Sequence, residues 1–216
     1  MPDSGRPGIL ALLGDRANLM TMTGLACGVL GIYFAVLQLF EAAVIALLWA
    51  TLIDWFDGPV ARRMHGRSSD CKAVGGELDS LTDLVSHGVG PAIVLLSFGR
   101  FSPWFLPGAL LLVGAGAARL SYFNAFDREG SSSYLGLPID TNSIVLALVF
   151  AVEPMVGREI FTTILYVTVV ALAVLNVSPF RMPKPRGYAY PAFAALVACL
   201  TALYGARLWA LSSGVG

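Results

Sequence analysis

The run NLMTMTGLACGVLGIYFAVLQLF, residues 18–40, contains no charged side chain and is long enough to cross a lipid bilayer as one helix. About 20 apolar residues in a helix span the roughly 30 Å of hydrocarbon. The whole chain has the same character, because 56% of its 216 residues are hydrophobic and only 13% are charged. A soluble domain has about 25% charged residues, so the sequence predicts an integral membrane protein.

Six further apolar windows follow the first, so we expect an all-α integral membrane fold, a bundle of six to seven transmembrane helices. The windows are residues 42–62, 76–98, 103–126, 141–156, 160–178 and 188–211. The window 141–156 is the shortest, which is why the count is six to seven. Short connectors leave no room for a soluble domain, so we expect one membrane domain over residues 1–216. The segment GILALLGDR, residues 8–16, is compatible with a short interfacial helix.

The positions of Lys and Arg predict which side of the membrane each connector faces, because cytoplasmic connectors carry an excess of both. With the N-terminus in the cytoplasm, only Arg100, Arg158 and Arg207 lie on the opposite side. The cytoplasmic side then holds Arg6, Arg16, Arg62, Arg63, Arg67, Lys72, Arg119, Arg128, Arg181, Lys184 and Arg186. We therefore expect a multi-pass protein of the cell (inner) membrane whose polar connectors face the cytoplasm.

Composition argues against two other kinds of site. The 14 Lys and Arg residues balance the 14 Asp and Glu residues, so no basic excess indicates a nucleic-acid partner. Cys27, Cys71 and Cys199 are widely spaced and form no C-x-x-C pair. We therefore expect no nucleic acid, no disulfide framework and no thiolate metal site.

The second and third windows carry carboxylates inside apolar helices. Asp54 and Asp57 are three residues apart, and Asp79 and Asp83 are four apart, so each helix presents its pair on one face. A carboxylate at membrane depth is costly and is a functional candidate by default. Four in one pocket would repel one another unless cations neutralise them, and oxygen ligands favour Mg²⁺, Mn²⁺ or Ca²⁺. The spacing therefore predicts a site for one or two divalent metal ions.

Salt bridges are the structural alternative for these carboxylates. Arg62, Arg63 and Lys72 lie near them in the sequence, and single acidic residues also line polar vestibules at the membrane interface. The small side chains of Gly58 and Ala61 leave room beside the carboxylates for a ligand or for a closely packed helix. Four carboxylates at helical spacing favour the metal site.

The segments DWFDGPVAR, residues 54–62, and GGELDSLTD, residues 75–83, resemble the signature of the CDP-alcohol phosphotransferase family. That signature is D-x-x-D-G-x-x-A-R, a spacer, and G-x-x-x-D-x-x-x-D. Its fixed positions are filled here by Asp54, Asp57, Gly58, Ala61, Arg62, Gly75, Asp79 and Asp83. The spacer departs from the family, because residues 63–74 take the place of a shorter one and lengthen the predicted cytoplasmic turn by four residues.

The resemblance implies phosphoryl transfer from a CDP-lipid to an alcohol, with release of CMP. It implies two divalent ions, Mg²⁺ or Mn²⁺, that neutralise the diphosphate. The implied ligands are Asp54, Asp57, Asp79 and Asp83, and Asp83 is also the implied general base. The nucleotide and diphosphate would contact Asp57, Gly58, Ala61, Arg62 and Gly75. A homodimer in contact with membrane lipids is implied as well.

Further segments are similar to the phosphatidylserine synthases of this family. These segments are ELDSLTDLVSHGVGPA, RLSYFN and LGLP, which extend from the third to the fifth window. The similarity implies CDP-diacylglycerol as the donor and L-serine as the acceptor. His87 departs from the aromatic residue that is more usual in the run VSFGVAP.

Three residues are candidates for contact with a serine acceptor, whose carboxylate requires a cation. Arg119 lies one to two turns inside the predicted cytoplasmic end of its helix; snorkelling to the headgroups or pairing with an aspartate is the alternative. His87 follows Asp83 by four residues, so it would orient Asp83, relay its proton, or simply bond a neighbouring hydroxyl. Ser86 is the third candidate. The connector DREGSSSYLGLP, residues 127–138, is compatible with a lid, a wall of the acceptor site or a plain surface connector.

Two other functions stay open from the sequence. A sister enzyme that uses glycerol 3-phosphate or inositol phosphate would share the metal signature, although an acceptor phosphate should require several converging cations. A divalent cation transporter also places carboxylates in the membrane, but its sites tend to lie near the midplane between inverted repeats, and the sequence contains no such repeat.

Overall fold

The computed structural model describes residues 7–126, 133–185 and 187–213, which are mostly helical. The α-helices are α1 (Ile9–Leu13), α2 (Arg16–Val36), α3 (Phe40–Arg63), α4 (Ser69–Asp83), α5 (Gly90–Phe98), α6 (Leu106–Phe126), α7 (Thr141–Phe150), α8 (Arg158–Asn176) and α9 (Ala189–Ser212). A π-helical segment, Leu84–Val89, joins α4 to α5, and 3₁₀ turns span Pro103–Phe105 and Glu153–Met155. Two short strands, β1 (Ser133–Leu135) and β2 (Arg181–Pro183), pair antiparallel.

Six helices of the described chain are long and apolar enough to cross a membrane, which confirms the predicted all-α, multi-pass fold. They are Arg16–Val36, Phe40–Arg63, Ser69–Phe98, Pro103–Phe126, Arg158–Asn176 and Ala189–Ser212. The third of these begins seven residues before its predicted window, because Ser68 caps α4 by accepting a hydrogen bond from Cys71 N at 3.1 Å. The short helix α1 falls inside the predicted interfacial segment and buries none of its residues.

The bundle has two distinct ends. We call the end with Arg16, Arg63 and Phe126 the proximal end and the opposite end the distal end. At the distal end, rings from the termini of four helices pack together with centroids 4.9 to 5.9 Å apart. These rings are Phe40, Phe98, Phe150 and Phe161. The aromatic cluster fixes the distal end, and the polar side chains discussed below lie toward the proximal one.

The window 141–156 forms a helix that is shorter than a bilayer crossing requires. α7 has 10 residues, which corresponds to about 15 Å. Asp140, the residue before α7, accepts a hydrogen bond from Trp55 Nε1 at 2.6 Å. Since Trp55 is the neighbour of Asp54 in α3, α7 starts inside the bundle at the depth of Asp54. It nevertheless ends at the distal aromatic cluster. The bundle therefore consists of six full-length helices and one short helix, within the predicted range of six to seven.

The backbone that leads into α7, residues 136–140, is irregular although it lies inside the bundle. The end of α8 and the segment that follows it supply its partners: Leu137 N donates to Leu175 O at 3.0 Å and Gly136 N donates to Phe180 O at 2.8 Å. Gly136 has a φ of +70°, and an added Cβ would overlap the carbonyl of Asn176. Only glycine therefore fits this close approach. Irregular backbone at membrane depth is tolerated where protein groups satisfy it, as they do here.

Four predictions concern residues outside the described ranges. Arg6, Arg128 and Arg186 of the predicted cytoplasmic cations lie there, and so does the first half of the connector 127–138.

Candidate functional site

The carboxylates of α3 and α4 converge in the proximal half of the bundle. Ligand atoms of Asp54, Asp57 and Asp79 all lie within 4.8 Å of one another. Ligand atoms of Asp54, Asp83 and His87 form a second such group. Asp54 belongs to both groups. The four aspartates that the sequence singled out therefore lie in one cluster, with His87 at its inner edge.

The helical geometry explains this convergence. Asp54 and Asp57 lie on one face of α3, and Asp79 and Asp83 lie one turn apart on α4. The α-helical hydrogen-bond pattern stops directly after Asp83, where the π-helical segment begins. A π-helix turn takes up an extra residue and rotates the residues that follow, and such segments are frequent at functional sites.

Asp57 is the most enclosed of the four aspartates, with 7% of its surface exposed. Thr21 of α2 donates its hydroxyl to Asp57 Oδ2 at 2.7 Å. Arg62 and Arg67 act electrostatically on this carboxylate, and neither forms an ion pair with it among the described residues. The structural alternative, direct salt bridges between the aspartates and nearby Arg or Lys, is therefore not what holds Asp57.

A pocket of about 160 Å³ opens beside Asp57 and Asp79 between α2, α3 and α4. Small side chains form much of its wall, and two cations are also part of the lining. Its lining comprises Ala17, Asn18, Thr21, Asp57, Gly58, Ala61, Arg67, Lys72, Gly75, Gly76 and Asp79. Four of the five residues that the resemblance assigned to the nucleotide, Asp57, Gly58, Ala61 and Gly75, are among them.

The fifth residue, Arg62, does not line this pocket. Its side chain is exposed, and its Nη1 atom would lie 3.3 Å from a Cβ added at Gly58. The two cations that do line the pocket, Arg67 and Lys72, come from the connector and the first turn of α4. The positive charge of the pocket therefore comes from the lengthened spacer, and not from the end of α3 as the resemblance implied.

Arg67 links the spacer to the start of α2. Its Nη2 atom lies 2.7 Å from Asp15 Oδ2 and donates to Asn18 Oδ1 at 2.9 Å. Asn18 in turn donates its Nδ2 to Leu12 O at 2.8 Å. A Cβ added at Gly75 would come within 2.5 Å of Asn18 Oδ1, so α4 approaches α2 closely at this point. Sequence reasoning missed this network, and its only signal was the added length of the spacer.

A second group of polar and aromatic residues lies on the α7 side of the carboxylates. The guanidinium of Arg119 lies 5.6 Å from the ring centroid of Tyr134, and Lys184 Nζ lies 5.0 Å from the same centroid. Burial, followed by the charge of Asp140, raises the pKa of Tyr134 to about 12, so its hydroxyl stays protonated at neutral pH. Asp140 caps α7 by accepting from Thr141 N at 2.9 Å. Sequence reasoning missed Asp140, although an Asp that precedes an apolar run is a typical N-cap.

The two adjacent residues His87 and Ser86 face different neighbours. His87 is buried, its Nδ1 atom lies 2.8 Å from Ser143 Oγ, and its Nε2 atom lies 3.9 Å from Asp83 Oδ1. It therefore bonds a neighbouring hydroxyl and also faces Asp83, as the spacing of four residues predicted. Ser86 is buried against Gly28, where an added Cβ would overlap its Oγ atom. This placement between α2 and the π-helical segment does not support contact between Ser86 and an acceptor.

Comparison with known proteins identifies relatives over most of the chain. The CDP-diacylglycerol–serine O-phosphatidyltransferase of Mycobacterium bovis is 28% identical over 199 residues, which cover 85% of this chain and 68% of that protein. The enzyme of the same name from Bacillus subtilis is 28% identical over 174 residues, or 79% and 91% of the two chains. The archaetidylserine synthase of Methanothermobacter thermautotrophicus is 31% identical over 172 residues, or 79% and 70%.

The family profile described as CDP-alcohol phosphatidyltransferase matches residues 15–177, well over half of the chain. The matched region contains all four aspartates, the pocket of α2, α3 and α4, and the residues around Tyr134 and Asp140. The protein therefore belongs to the CDP-alcohol phosphatidyltransferase family.

Proposed function

We propose that this protein transfers the phosphatidyl group of CDP-diacylglycerol to the hydroxyl of L-serine, giving phosphatidylserine and CMP. The observation that carries the proposal is the convergence of four carboxylates beside a pocket of small side chains and two cations. Family membership supports the kind of reaction. The choice of serine is supported by the names of the relatives, two of which are serine O-phosphatidyltransferases and one an archaetidylserine synthase.

The cluster suits divalent cations, in line with the use of such ions in this family. Its donors are carboxylate oxygens, which bind hard cations such as Mg²⁺ and Mn²⁺. Asp83 Oδ1 is buried and has no hydrogen-bond partner among the described residues, so a cation there would satisfy it. We assign two ions to the two ligand groups that share Asp54. When bound, they would neutralise the diphosphate and the leaving CMP.

The chain itself binds the donor and moves one proton. The pocket holds the nucleotide, with Gly58, Ala61 and Gly75 leaving space and with Arg67 and Lys72 facing its phosphates. The serine hydroxyl oxygen attacks the phosphorus that carries diacylglycerol, and the bond between this phosphorus and the CMP oxygen breaks. Asp83 accepts the hydroxyl proton, and CMP leaves with the bonding electron pair.

The α7 side of the cluster suits the acceptor. Arg119, which lies over the ring of Tyr134, would bind the serine carboxylate, and the Asp140 carboxylate would face the ammonium group. Lys184 over the same ring adds a second cation. Two cations would also suit an acceptor phosphate, which is the observation that favours glycerol 3-phosphate or inositol phosphate as the alternative.

The distribution of cations supports a cytoplasmic site. Among the described residues, the distal end holds Arg100, Arg158 and Arg207. The proximal end holds Arg16, Arg62, Arg63, Arg67, Lys72, Arg119, Arg181 and Lys184. This asymmetry supports a protein of the inner membrane with the proximal end and the N-terminus in the cytoplasm. A single domain over the whole chain and a homodimer complete the proposal.

Release of CMP tests the reaction. Detergent-purified protein receives CDP-diacylglycerol, Mg²⁺ or Mn²⁺, and one acceptor at a time: L-serine, glycerol 3-phosphate or inositol phosphate. We expect release when serine is the acceptor and none with the other two acceptors. Asp83→Asn should lower the rate with serine by at least about 100-fold, because the general base is lost. Asp70→Asn is the matched control, since Asp70 is an exposed carboxylate in the first turn of the same helix.

Each contrary result has a distinct meaning. Release only with a phosphate-bearing acceptor would refute serine and leave the kind of reaction intact. Folded, metal-bound protein that releases no CMP with any acceptor would refute the proposal and favour a divalent cation transporter, which an assay of Mn²⁺ uptake in vesicles would detect.

A further inference from the structure

His87 presents a fully buried ring nitrogen to the acidic cluster. Its Nε2 atom is buried and has no hydrogen-bond partner among the described residues, and the same holds for Asp83 Oδ1. These two atoms lie 3.9 Å apart, which is too long for a hydrogen bond. Two ligands that share an ion at about 2.1 Å each lie roughly 3 to 4 Å apart. The pair is therefore spaced for a shared cation and not for a direct contact.

The other side of the imidazole ring is fixed by α7. His87 Nδ1 lies 2.8 Å from Ser143 Oγ, and Asn142 Nδ2 donates to the backbone carbonyl of His87 at 3.1 Å. Metal-bound histidines typically donate their second ring nitrogen to a neighbouring acceptor, which sets the tautomer and the ring orientation. With the proton on Nδ1 and donated to Ser143, the Nε2 lone pair points at Asp83 and Asp54.

We propose that His87 is a nitrogen ligand of the ion held by Asp54 and Asp83, and that it makes this position selective for a first-row transition ion such as Mn²⁺ over Mg²⁺. Imidazole binds transition ions well, whereas Mg²⁺ prefers oxygen and water. The inference rests on the proposed function only for the presence of a metal ion in the cluster.

Electron spin echo spectroscopy of bound Mn²⁺ detects a coordinated nitrogen directly. The chain has two histidines, His87 and the exposed His65, so a purification tag without histidine leaves only two sources of an imidazole signal. Mn²⁺ diluted in excess Mg²⁺ would occupy the selective position as isolated ions. We expect ¹⁴N modulation in the wild-type protein, its replacement by ¹⁵N modulation after labelling with [¹⁵N]histidine, and its retention in His65→Gln.

The same spectra define what would overturn the inference. His87 would be rejected as a ligand if the wild-type protein bound no Mn²⁺ or if bound Mn²⁺ showed no nitrogen modulation. It would also be rejected if the modulation disappeared in His65→Gln. His87→Phe should abolish the modulation, and modulation that persists in a folded His87→Phe protein would also reject it. If His87→Phe does not fold, the isotope and His65 measurements still decide the question.

Metal affinity gives a second readout that needs no substrate. His87→Phe should lower the affinity for Mn²⁺ at least about 10-fold and leave that for Mg²⁺ nearly unchanged, as measured by titration calorimetry. An equal loss for both ions would contradict selectivity by His87. Serine-dependent CMP release without nitrogen modulation would reject this inference and leave the proposed function intact. Nitrogen modulation without CMP release would support the His87 ligand and reject the proposed function.

Discussion

Arg67 brings positive charge into the candidate nucleotide pocket from the spacer between the two halves of the family signature. Its ion pair with Asp15 and its hydrogen bond to Asn18 connect the spacer, α2 and the pocket wall. Both partners of the ion pair are largely buried, with 8% and 11% of their side chains exposed. A buried pair that loses one partner leaves an uncompensated charge, so the network is sensitive to single substitutions.

Replacing Arg67 should weaken binding of the nucleotide lipid. Arg67→Ala removes a pocket cation and frees Asn18, so we expect KM for CDP-diacylglycerol to rise about 10-fold or more, since hydrogen bonds to charged groups contribute roughly 1.5 to 3 kcal/mol. The KM for serine should stay unchanged in the same steady-state assay. Arg63→Ala, which removes an exposed cation at the end of α3, is the control. Equal effects of the two variants would show that Arg67 acts only through net charge.

Ser143 should raise the affinity for the metal ion through His87, without being a ligand itself. Ser143→Ala removes the oxygen that lies 2.8 Å from His87 Nδ1, so the ring loses its fixed orientation and we expect the affinity for Mn²⁺ to fall about 10-fold. Titration of Mn²⁺ into the purified protein measures the change. Thr163→Ala, an exposed hydroxyl on α8, should bind Mn²⁺ as the wild type does. Unchanged affinity in Ser143→Ala would argue that Ser143 does not orient the ligand.

At the scale of elements, close contact between α2 and the π-helical segment holds one wall of the cluster. Gly28 makes this contact possible, because any Cβ there would overlap Ser86. The π-helical segment contains His87 and directly follows Asp83, so a shift of α2 would displace both. Gly114 of α6 offers a contrast, since no atom lies within 4 Å of a Cβ added there.

These two glycines should therefore respond in opposite ways to the same substitution. Gly28→Ala should destabilise the fold by about 1 to 3 kcal/mol through overpacking. Gly114→Ala should leave stability unchanged or raise it by up to about 1 kcal/mol, because alanine favours the helix. Thermal unfolding in detergent measures both midpoints. A Gly28→Ala protein as stable as the wild type would mean that the π-helical segment moves aside without cost.

The sequence predicted the long helices well because length and hydropathy are sufficient to identify a membrane span. It predicted the aspartate cluster because spacings of three and four residues place side chains on one helix face. It did not predict the π-helical segment after Asp83, since nothing in LVSHGV distinguishes it from an α-helix. It also missed the contacts of Arg67 and Asp140, which depend on how connectors fold back onto other helices.

At the scale of the whole molecule, the described residues run seven times between the two ends of the bundle. α2 begins at the proximal end, and Arg207 near the end of α9 donates to the carbonyls of Phe150 and Ala151 at the distal end. One of these passes combines the connector from β1 onward with the 10-residue helix α7, over residues 133–150. An odd number of such passes would place the start of α2 and the end of α9 on opposite sides of a membrane.

Reporter fusions test this arrangement in cells. With the N-terminus in the cytoplasm, we expect green fluorescent protein to fluoresce at the N-terminus and to stay dark at the C-terminus. Alkaline phosphatase at the C-terminus should be active, because it requires an oxidising compartment. Fluorescence at both termini would indicate six passes and would contradict the crossing of α7, and the reverse pattern would contradict the proposed orientation.

The deep start of α7 has a consequence for how two dissimilar substrates meet. On that side of the bundle, about 15 Å of helix separates Asp140, beside the carboxylate cluster, from the distal end. The segment before the helix, residues 136–140, is irregular backbone whose amides at Gly136 and Leu137 are hydrogen-bonded to other parts of the chain. Under the proposed function, a water-soluble acceptor would therefore approach the carboxylates from the proximal end, and a lipid donor would do so without its acyl chains leaving the bilayer.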